Sequence, residues 1–466
     1  RTSNIGELMI ILGTNSIKAS GFDVDYSCMF GNPPDGASSP DYLTRTPSGA
    51  TNQKTFTISY WVKRWGLQTG TSWQQVIGQQ ASNYFRCGFN SNEQGDIIRM
   101  YGPSFEFRTT ALYRDVSAWY HVVLAIDTTQ GTESNRAKLY VNGTQVTSFV
   151  TATYPGQNVD QDWNVAAAIV IGRSGSSGND GLPAYLAQLV NIDGTAYAAS
   201  DFGEFDSDDS PTIWKPKDVS GLTFGTNGFF LDFADAADLG DDESGNTNDF
   251  AETGIAAINQ VTDTPTNNFA TLNPLDKGLS GCTVSEGNTH VVMTSGAYKD
   301  IKSTIGMSAG KWYWETKLVA NPSEGALVGI TQMSVDGSNH TAVDAGRIIY
   351  QTNGNVYRNV LGLSAVTGVG TYTDGDIIST ALDMTNGTVK FYKNGSLVHT
   401  ETNSTFQSDT WSFYVAGNDS TWSANFGNPS FAISSGNADG DGYGNFEYAV
   451  PSGYFALCTK NLAEYG

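Results

Sequence analysis

KLYVNGTQV, Lys138–Val146, and VKFYKNGSLV, Val389–Val398, are two spellings of one phrase. In each, polar and apolar residues alternate, the period of a strand. Each then reaches Asn-Gly (Asn142-Gly143 and Asn394-Gly395), the pair that best tolerates the two positive-φ positions of a type I′ turn, and a return strand follows. Both have a similar lead-in, LAIDTT at Leu124–Thr129 and TALDMT at Thr380–Thr385. There an Asp side chain can bond the turning backbone. The spacing between lead-in and hairpin differs by a four-residue insertion in the first copy. The repeated phrase predicts two units built on the same kind of antiparallel sheet.

Strand signals recur around each copy. FTISYWVKR (Phe56–Arg64), QQVIGQ, YFRCGFN, DIIRMYG, FEFRTT, AWYHVVLAID and AYLAQLVNIDG (Ala184–Gly194) surround the first. Many short strands, hairpin turns and no long stretch with a 3.6-residue apolar period predict an all-β chain with little helix. We read two tandem antiparallel β-sandwiches, preceded by a short N-terminal segment and joined by an acidic linker. The expected divisions are 1–39, an entry segment whose Leu8–Leu12 could dock as a strand; 40–205, the first sandwich; 206–268, a linker wrapped on the domains because Phe229, Phe230, Leu231 and Phe233 need burial; and 269–466, the second sandwich.

The 466 residues carry a net charge of −22, and residues 201–250 hold half of it, with 13 acidic residues and two lysines. No Lys/Arg cluster is available for phosphates, so nucleic acid is not an expected partner. The charge also opposes adsorption to an anionic membrane surface. No apolar run approaches the roughly 20 residues that span a bilayer, so no membrane insertion is expected. Cys28, Cys87, Cys282 and Cys458 form no metal-binding spacing and read as buried thiols.

The ordered motifs FTISYWVKR, AWYHVVLAIDTT, KLYVNGTQV and AYLAQLVNIDG resemble the laminin-G-like, concanavalin A-type jelly roll over about residues 40–205. GKWYWETKL (Gly310–Leu318), ALVGIT, GDIISTALDMTNGTVKFYKNG (Gly375–Gly395), WSFYVAG and ANFGNPSF resemble the SPRY family, also a concanavalin-like sandwich. The whole arrangement is similar to tail-fibre and virion structural proteins of marine bacteriophages. That resemblance implies a virion location at the particle surface after assembly in the host cytoplasm. It implies other virion subunits and host-surface polysaccharide as partners, and a homo-oligomer, with a homotrimer favoured.

Three readings of function follow. The first is a non-enzymatic tail-fibre or spike subunit that binds host glycan. The second is a capsid, tail or decoration protein that makes only virion contacts. The third, disfavoured, is a secreted glycan-degrading enzyme. Laminarinase-type enzymes of this fold class place two carboxylates on one strand face. The nearest match, EFDSDD at Glu204–Asp209, ends in Asp and follows the last strand of the first unit. His121 has no nucleophile motif beside it, and His290, His340 and His399 show no partners, so no catalytic residue is assigned. GRSGSSGNDG (Gly172–Gly181) lacks the GK[ST] ending of a phosphate loop and reads as a hairpin loop.

Sugar binding needs aromatic platforms with polar partners. The candidates are Trp73, Tyr101, Tyr154 and Trp163 in the first unit and Tyr350, Tyr357, Tyr372 and Trp422 in the second. No cofactor is required. Ca²⁺ is a candidate ligand of Asp238, Asp241, Asp242 and Asn246, because dense oxygen donors suit it and laminin-G-like folds often carry a rim Ca²⁺, although the spacing is not that of an EF-hand.

Overall fold

The computed structural model describes residues 21–31, 41–67, 73–81, 83–90, 96–173, 181–206, 212–277, 281–321, 325–335 and 346–466. The proposed docking strand at Leu8–Leu12, His340 and most of the Gly172–Gly181 loop lie outside these residues. Four large sheets make two sandwiches, and all their strand pairings are antiparallel except that of Phe455–Ala456 with Lys311–Ala320. Among the described residues the α-helix is confined to Thr459–Tyr465.

Sheet I runs Thr144–Gln145, Ala137–Val141, Trp119–Asp127, Thr55–Arg64, Ala184–Asp193, Ser27–Phe30, Gln260–Val261 in spatial order, and Phe229–Leu231 also pairs with Ala184–Asp193. Sheet II runs Phe149–Thr153, Phe105–Thr109, Ile97–Gly102, Phe85–Asn90, Trp73–Gln79, Ile169–Ile171, Tyr42–Arg45, Ala251–Thr253. Between them lies the first core, with Phe56, Ile58, Tyr60 and Val62 facing Ile77, Phe85, Cys87, Phe89 and Met100. Tyr42–Arg45 is an interior strand, because Ile169–Ile171 pairs on one side and Ala251–Thr253 on the other.

The strand Thr55–Arg64 shows how this sandwich departs from the simple inside-outside rule. Its sequence alternates, yet Phe56 to Arg64 are all buried. Phe56, Ile58, Tyr60 and Val62 enter the core, while Trp61 belongs to a second apolar layer on the other face of sheet I. Trp119, Tyr185, Phe202, Trp214, Phe224 and Phe230 share that layer. The segment 206–268 thus covers sheet I and also supplies strands to both sheets, Phe229–Leu231 and Gln260–Val261 to the first and Ala251–Thr253 to the second. A sheet buried on both faces gains roughly 1.5–3 kcal/mol for each large apolar side chain taken from water.

The second sandwich repeats the plan. Sheet III runs Leu272–Lys277, Lys299–Ser303, Trp411–Gly417, Leu327–Gln332, Arg347–Gln351, Val356–Arg358, Leu363–Val366. Sheet IV runs Cys282–Ser285, His290–Met293, Ser420–Asn425, Lys311–Ala320, Ile377–Asp383, Thr388–Lys393, Ser396–Thr402. Trp312, Trp314, Leu382 and Phe391 pack on Val328, Ile330, Ile348 and Phe413 in the core. The outer face of sheet IV is again covered from downstream, by Phe446, Tyr454, Ala456 and Cys458 on Tyr313 and Ala381. The Glu315 carboxylate holds this cover, accepting the backbone N–H groups of Glu447 and Tyr448 at 2.8 Å each. The two sandwiches touch where Tyr185 Oη donates to the Gly287 carbonyl at 2.8 Å. All four cysteines are buried free thiols.

Candidate functional site

Sheet II carries the residues best placed for binding. In Phe85–Asn90 the inward residues are Phe85, Cys87 and Phe89; in Ile97–Gly102 and Phe105–Thr109 they include Met100, Phe105 and Phe107. Period-2 alternation puts Arg86, Arg99, Tyr101, Glu106 and Arg108 on the opposite face. Register aligns them in rows, Arg86 beside Tyr101 beside Glu106, and Arg99 beside Arg108. The Arg99 guanidinium lies 4.5 Å from the Trp73 ring centre and 5.7 Å from that of Tyr101. Arg86 lies 4.6 Å from the Tyr84 ring and 5.8 Å from Trp73. These stacks stiffen both partners and leave planar donor forks beside aromatic rings.

Glu106 ties the rows together. Its Oε1 accepts Arg99 Nη2 at 2.6 Å and Arg108 Nε at 2.8 Å. Partial burial pushes this carboxyl up, but the bonds and charges from Arg108 and Arg99 outweigh it and hold it below the usual carboxylate range. Arg86, Arg99 and Arg108 thus share this face with the single carboxylate of Glu106 among these described strands, an excess of positive charge on a strongly acidic chain. The face offers aromatic surface and charged donors without a nucleophile, which suits recognition.

The structure brings Trp73 and Tyr101 together and separates the other candidates. Trp163 is fully buried, packed 5.0 Å from Phe85, with its indole N–H donating to Asn191 Oδ1 at 2.9 Å. Tyr350, Tyr372 and Trp422 are likewise core residues. Tyr372 Oη donates to the Tyr350 and Ala326 carbonyls, at 3.0 and 3.1 Å. These four assignments are corrected, because a ring with no open face cannot seat a sugar. Tyr154 is half-buried against Phe107, and Tyr357 packs beside Leu327, Ile349 and Tyr414; neither joins the others. Tyr84, Arg86, Arg99 and Arg108 were missed. The signal for the last three was the charge at alternate positions of apolar strands, FRCGF, IRMYG and FEFRT.

The acidic segment builds a folded turn. Asp242 accepts the N–H groups of Phe230, Ser244 and Asn248, and Asn246 Nδ2 donates to the Gly225 and Gly228 carbonyls. Asp238 accepts the Gly240 N–H. Burial and the charges of Asp249 and Asp238 push the Asp241 carboxyl up. With Asp242 and Asn246 committed to the backbone, these four residues do not form the expected Ca²⁺ ligand set. Among the described residues no three His, Cys, Asp or Glu side chains are grouped to hold a metal ion.

Two other groups look like chemistry and are accounted for by structure. Glu204 and Asp206 flank Lys215, at 3.7 and 3.4 Å, while Asp208 and Asp209 lie outside the described residues. Ser59 Oγ sits 2.9 Å from His121 Nε2. An indole N–H can only donate, however, and Trp214 Nε1 donates to His121 Nδ1 at 3.0 Å. Nε2 therefore carries the proton and donates to Ser59, so this imidazole cannot act as the serine's base. Burial pushes its pKa down to about 3.

The first sandwich matches the Laminin_G_3 model, described as the concanavalin A-like lectin/glucanases superfamily, over residues 37–195, and the second matches the SPRY domain over residues 311–427. A concanavalin A-like domain is followed by a SPRY domain. The aromatic-arginine face belongs to the concanavalin-like domain, and the second Asn-Gly hairpin to the SPRY domain. Similar solved structures include the SPRY domain of human HERC1, 20% identical, covering 33% of this chain and 96% of that one at a TM-score of 0.28. The TRIM65 PSpry domain is 13% identical, covering 34% and 89% at a TM-score of 0.28. No curated protein matches the chain.

Proposed function

We propose that this chain is a non-enzymatic attachment protein of a bacteriophage particle, a tail-fibre or spike subunit whose concanavalin-like domain binds host-surface polysaccharide. The observation that carries this reading is the outer face of sheet II, where Trp73, Tyr84 and Tyr101 interleave with Arg86, Arg99 and Arg108. Aromatic rings receive the apolar faces of sugars, and guanidinium forks pair with hydroxyl or carboxylate oxygens. The excess of guanidinium over carboxylate favours an acidic polysaccharide. The virion location rests on the similarity of the tandem arrangement to phage structural proteins. Several copies on one particle would convert weak single contacts into firm adhesion.

The test is binding of the intact chain to a glycan array and to whole bacterial cells. Trp73→Ala and Arg99→Ala should each weaken glycan binding about tenfold, roughly 1.4 kcal/mol, and binding should fall with added salt. Unchanged binding by both variants would remove sheet II from the reading. Binding to purified particle subunits, with no glycan bound, would favour a purely structural role.

A further inference from the structure

Lys63, Asp263 and Asn268 form a closed triad that the binding face does not use. Lys63 belongs to the central strand of sheet I, on the face covered by the connecting segment. Its Nζ lies 2.7 Å from Asp263 Oδ2 and 2.6 Å from Asn268 Oδ1, and a third contact reaches the Phe269 carbonyl at 3.3 Å. The Lys63 side chain is 1% exposed and that of Asp263 is 0% exposed. Asn268 is also buried.

The backbone fixes this arrangement. Thr264 and Asn267 exchange both N–H···O bonds across a tight turn, each at 3.1 Å. The residues flanking that bridge, Asp263 and Asn268, are thereby set side by side on one amine. Each is separately held. Trp119 Nε1 donates to Asp263 Oδ1 at 3.0 Å, and Ser27 Oγ donates to the Asp263 carbonyl at 2.6 Å. Asn268 Nδ2 donates to the Ser117 carbonyl at 2.6 Å, holding the amide plane. The Tyr185 ring lies 5.6 Å from Nζ and helps close the site to water.

We propose that Lys63 and Asn268 join in an intramolecular isopeptide bond, with Asp263 as the proton carrier. The Asn268 carbonyl carbon is bonded to an oxygen that touches Nζ, so it lies within about 4 Å of the amine, close to attack distance. Asp263 takes a proton from the Lys63 ammonium, leaving a neutral amine. Burial favours that transfer, because it pushes the Asp263 carboxyl up and because a buried ion pair is costly to desolvate. The Lys63 nitrogen attacks the Asn268 carbonyl carbon, the C–Nδ2 bond breaks, and Asp263 returns its proton to the departing nitrogen. The products are a Lys63–Asn268 amide and one ammonia, released as ammonium with the amine's remaining acidic proton. No oxidant, metal or other reactant is consumed. The bond would staple the central strand of the concanavalin-like domain to the segment entering the SPRY domain, across a sequence separation of 205 residues.

The test is mass spectrometry of the full chain, intact and after proteolysis. The expected result is a branched peptide joining the Lys63 and Asn268 segments, lighter than their sum by about 17 Da, one ammonia. Asp263→Asn should abolish the branch and return both peptides at full mass. Separate, full-mass Lys63 and Asn268 peptides from the unaltered chain would overturn the proposal. So would a branch that loses water, which would place the bond on Asp263, and a branch that persists in Asp263→Asn would overturn the role given to that residue. The unaltered chain decides the main point even if the variant does not fold.

Discussion

The two Asn-Gly hairpins share their turn dihedrals and two anchoring hydrogen bonds and differ in what lies on them. Asn142 and Asn394 both have φ of 47°, and Gly143 and Gly395 have 74° and 76°. Asn142 Oδ1 accepts the His121 N–H at 2.8 Å and its own N–H donates to the His121 carbonyl at 2.9 Å. Asn394 makes the same two bonds to Ile377, both at 2.9 Å. Above the first turn sits the buried Trp214, and above the second the half-buried Tyr448. Both rings come from segments that follow the hairpin in the chain and fold back over its sheet. The turn is thus set by its own dihedrals and one side chain, and its cover by distant sequence.

Substitutions at matched positions can break this parallel. Trp214→Ala should cost about 3–5 kcal/mol, because a buried indole and its bond to His121 are lost, whereas Tyr448→Ala should cost about 1 kcal/mol. Denaturant midpoints of the two variants would measure the gap, and equal midpoints would refute unequal cover. Acid should expose the next difference. His121 has a folded pKa of about 3, below the unfolded value of about 6.5. The folded chain therefore binds fewer protons, and stability is lost as pH falls from about 6.5 toward 3, by up to about 1.4 kcal/mol per unit. His121→Ile, which copies Ile377, should flatten that limb of the stability-pH curve; an unchanged slope would disprove the assignment.

Smaller effects sharpen the comparison. Gly143→Ala and Gly395→Ala each force alanine into the left-handed region at about 1–2 kcal/mol. A Cβ at Gly143 would also overlap the buried Trp214 ring, while at Gly395 it would meet the movable Tyr448 ring at 2.7 Å. The first variant should melt lower. Asn142→Ala and Asn394→Ala should each cost about 1 kcal/mol, the second somewhat more, because Asn394 Nδ2 also donates to Asp376 Oδ1 at 2.7 Å. A larger drop in calorimetric Tm for Asn142→Ala than for Asn394→Ala would show that the cover, and not the turn, sets the asparagine's value.

Much of the fold was legible because strand period and turn dihedrals act over a few residues. YVNGT and YKNGS declare their turns without help from the rest of the chain. The site was less legible. Trp73 and Trp163 look alike in sequence, each beside polar residues in a loop-like context, yet one stacks with Arg99 and the other fills the core. The run at Asp238–Asn246 shows its composition but not that Asp242 spends its carboxylate on three backbone N–H groups. Lys63 is buried, and nothing local in YWVKR announces the segment that buries it.

Local sequence determined that this chain is two antiparallel sandwiches, each with an Asn-Gly hairpin, because alternation and positive-φ turns are short-range properties of the backbone. Tertiary structure alone decided which aromatic rings are free, which carboxylates are spent, and that Lys63 meets Asp263 and Asn268. Those outcomes depend on desolvation and contact between residues some 200 positions apart, and no local window of sequence contains both sides of such a contact.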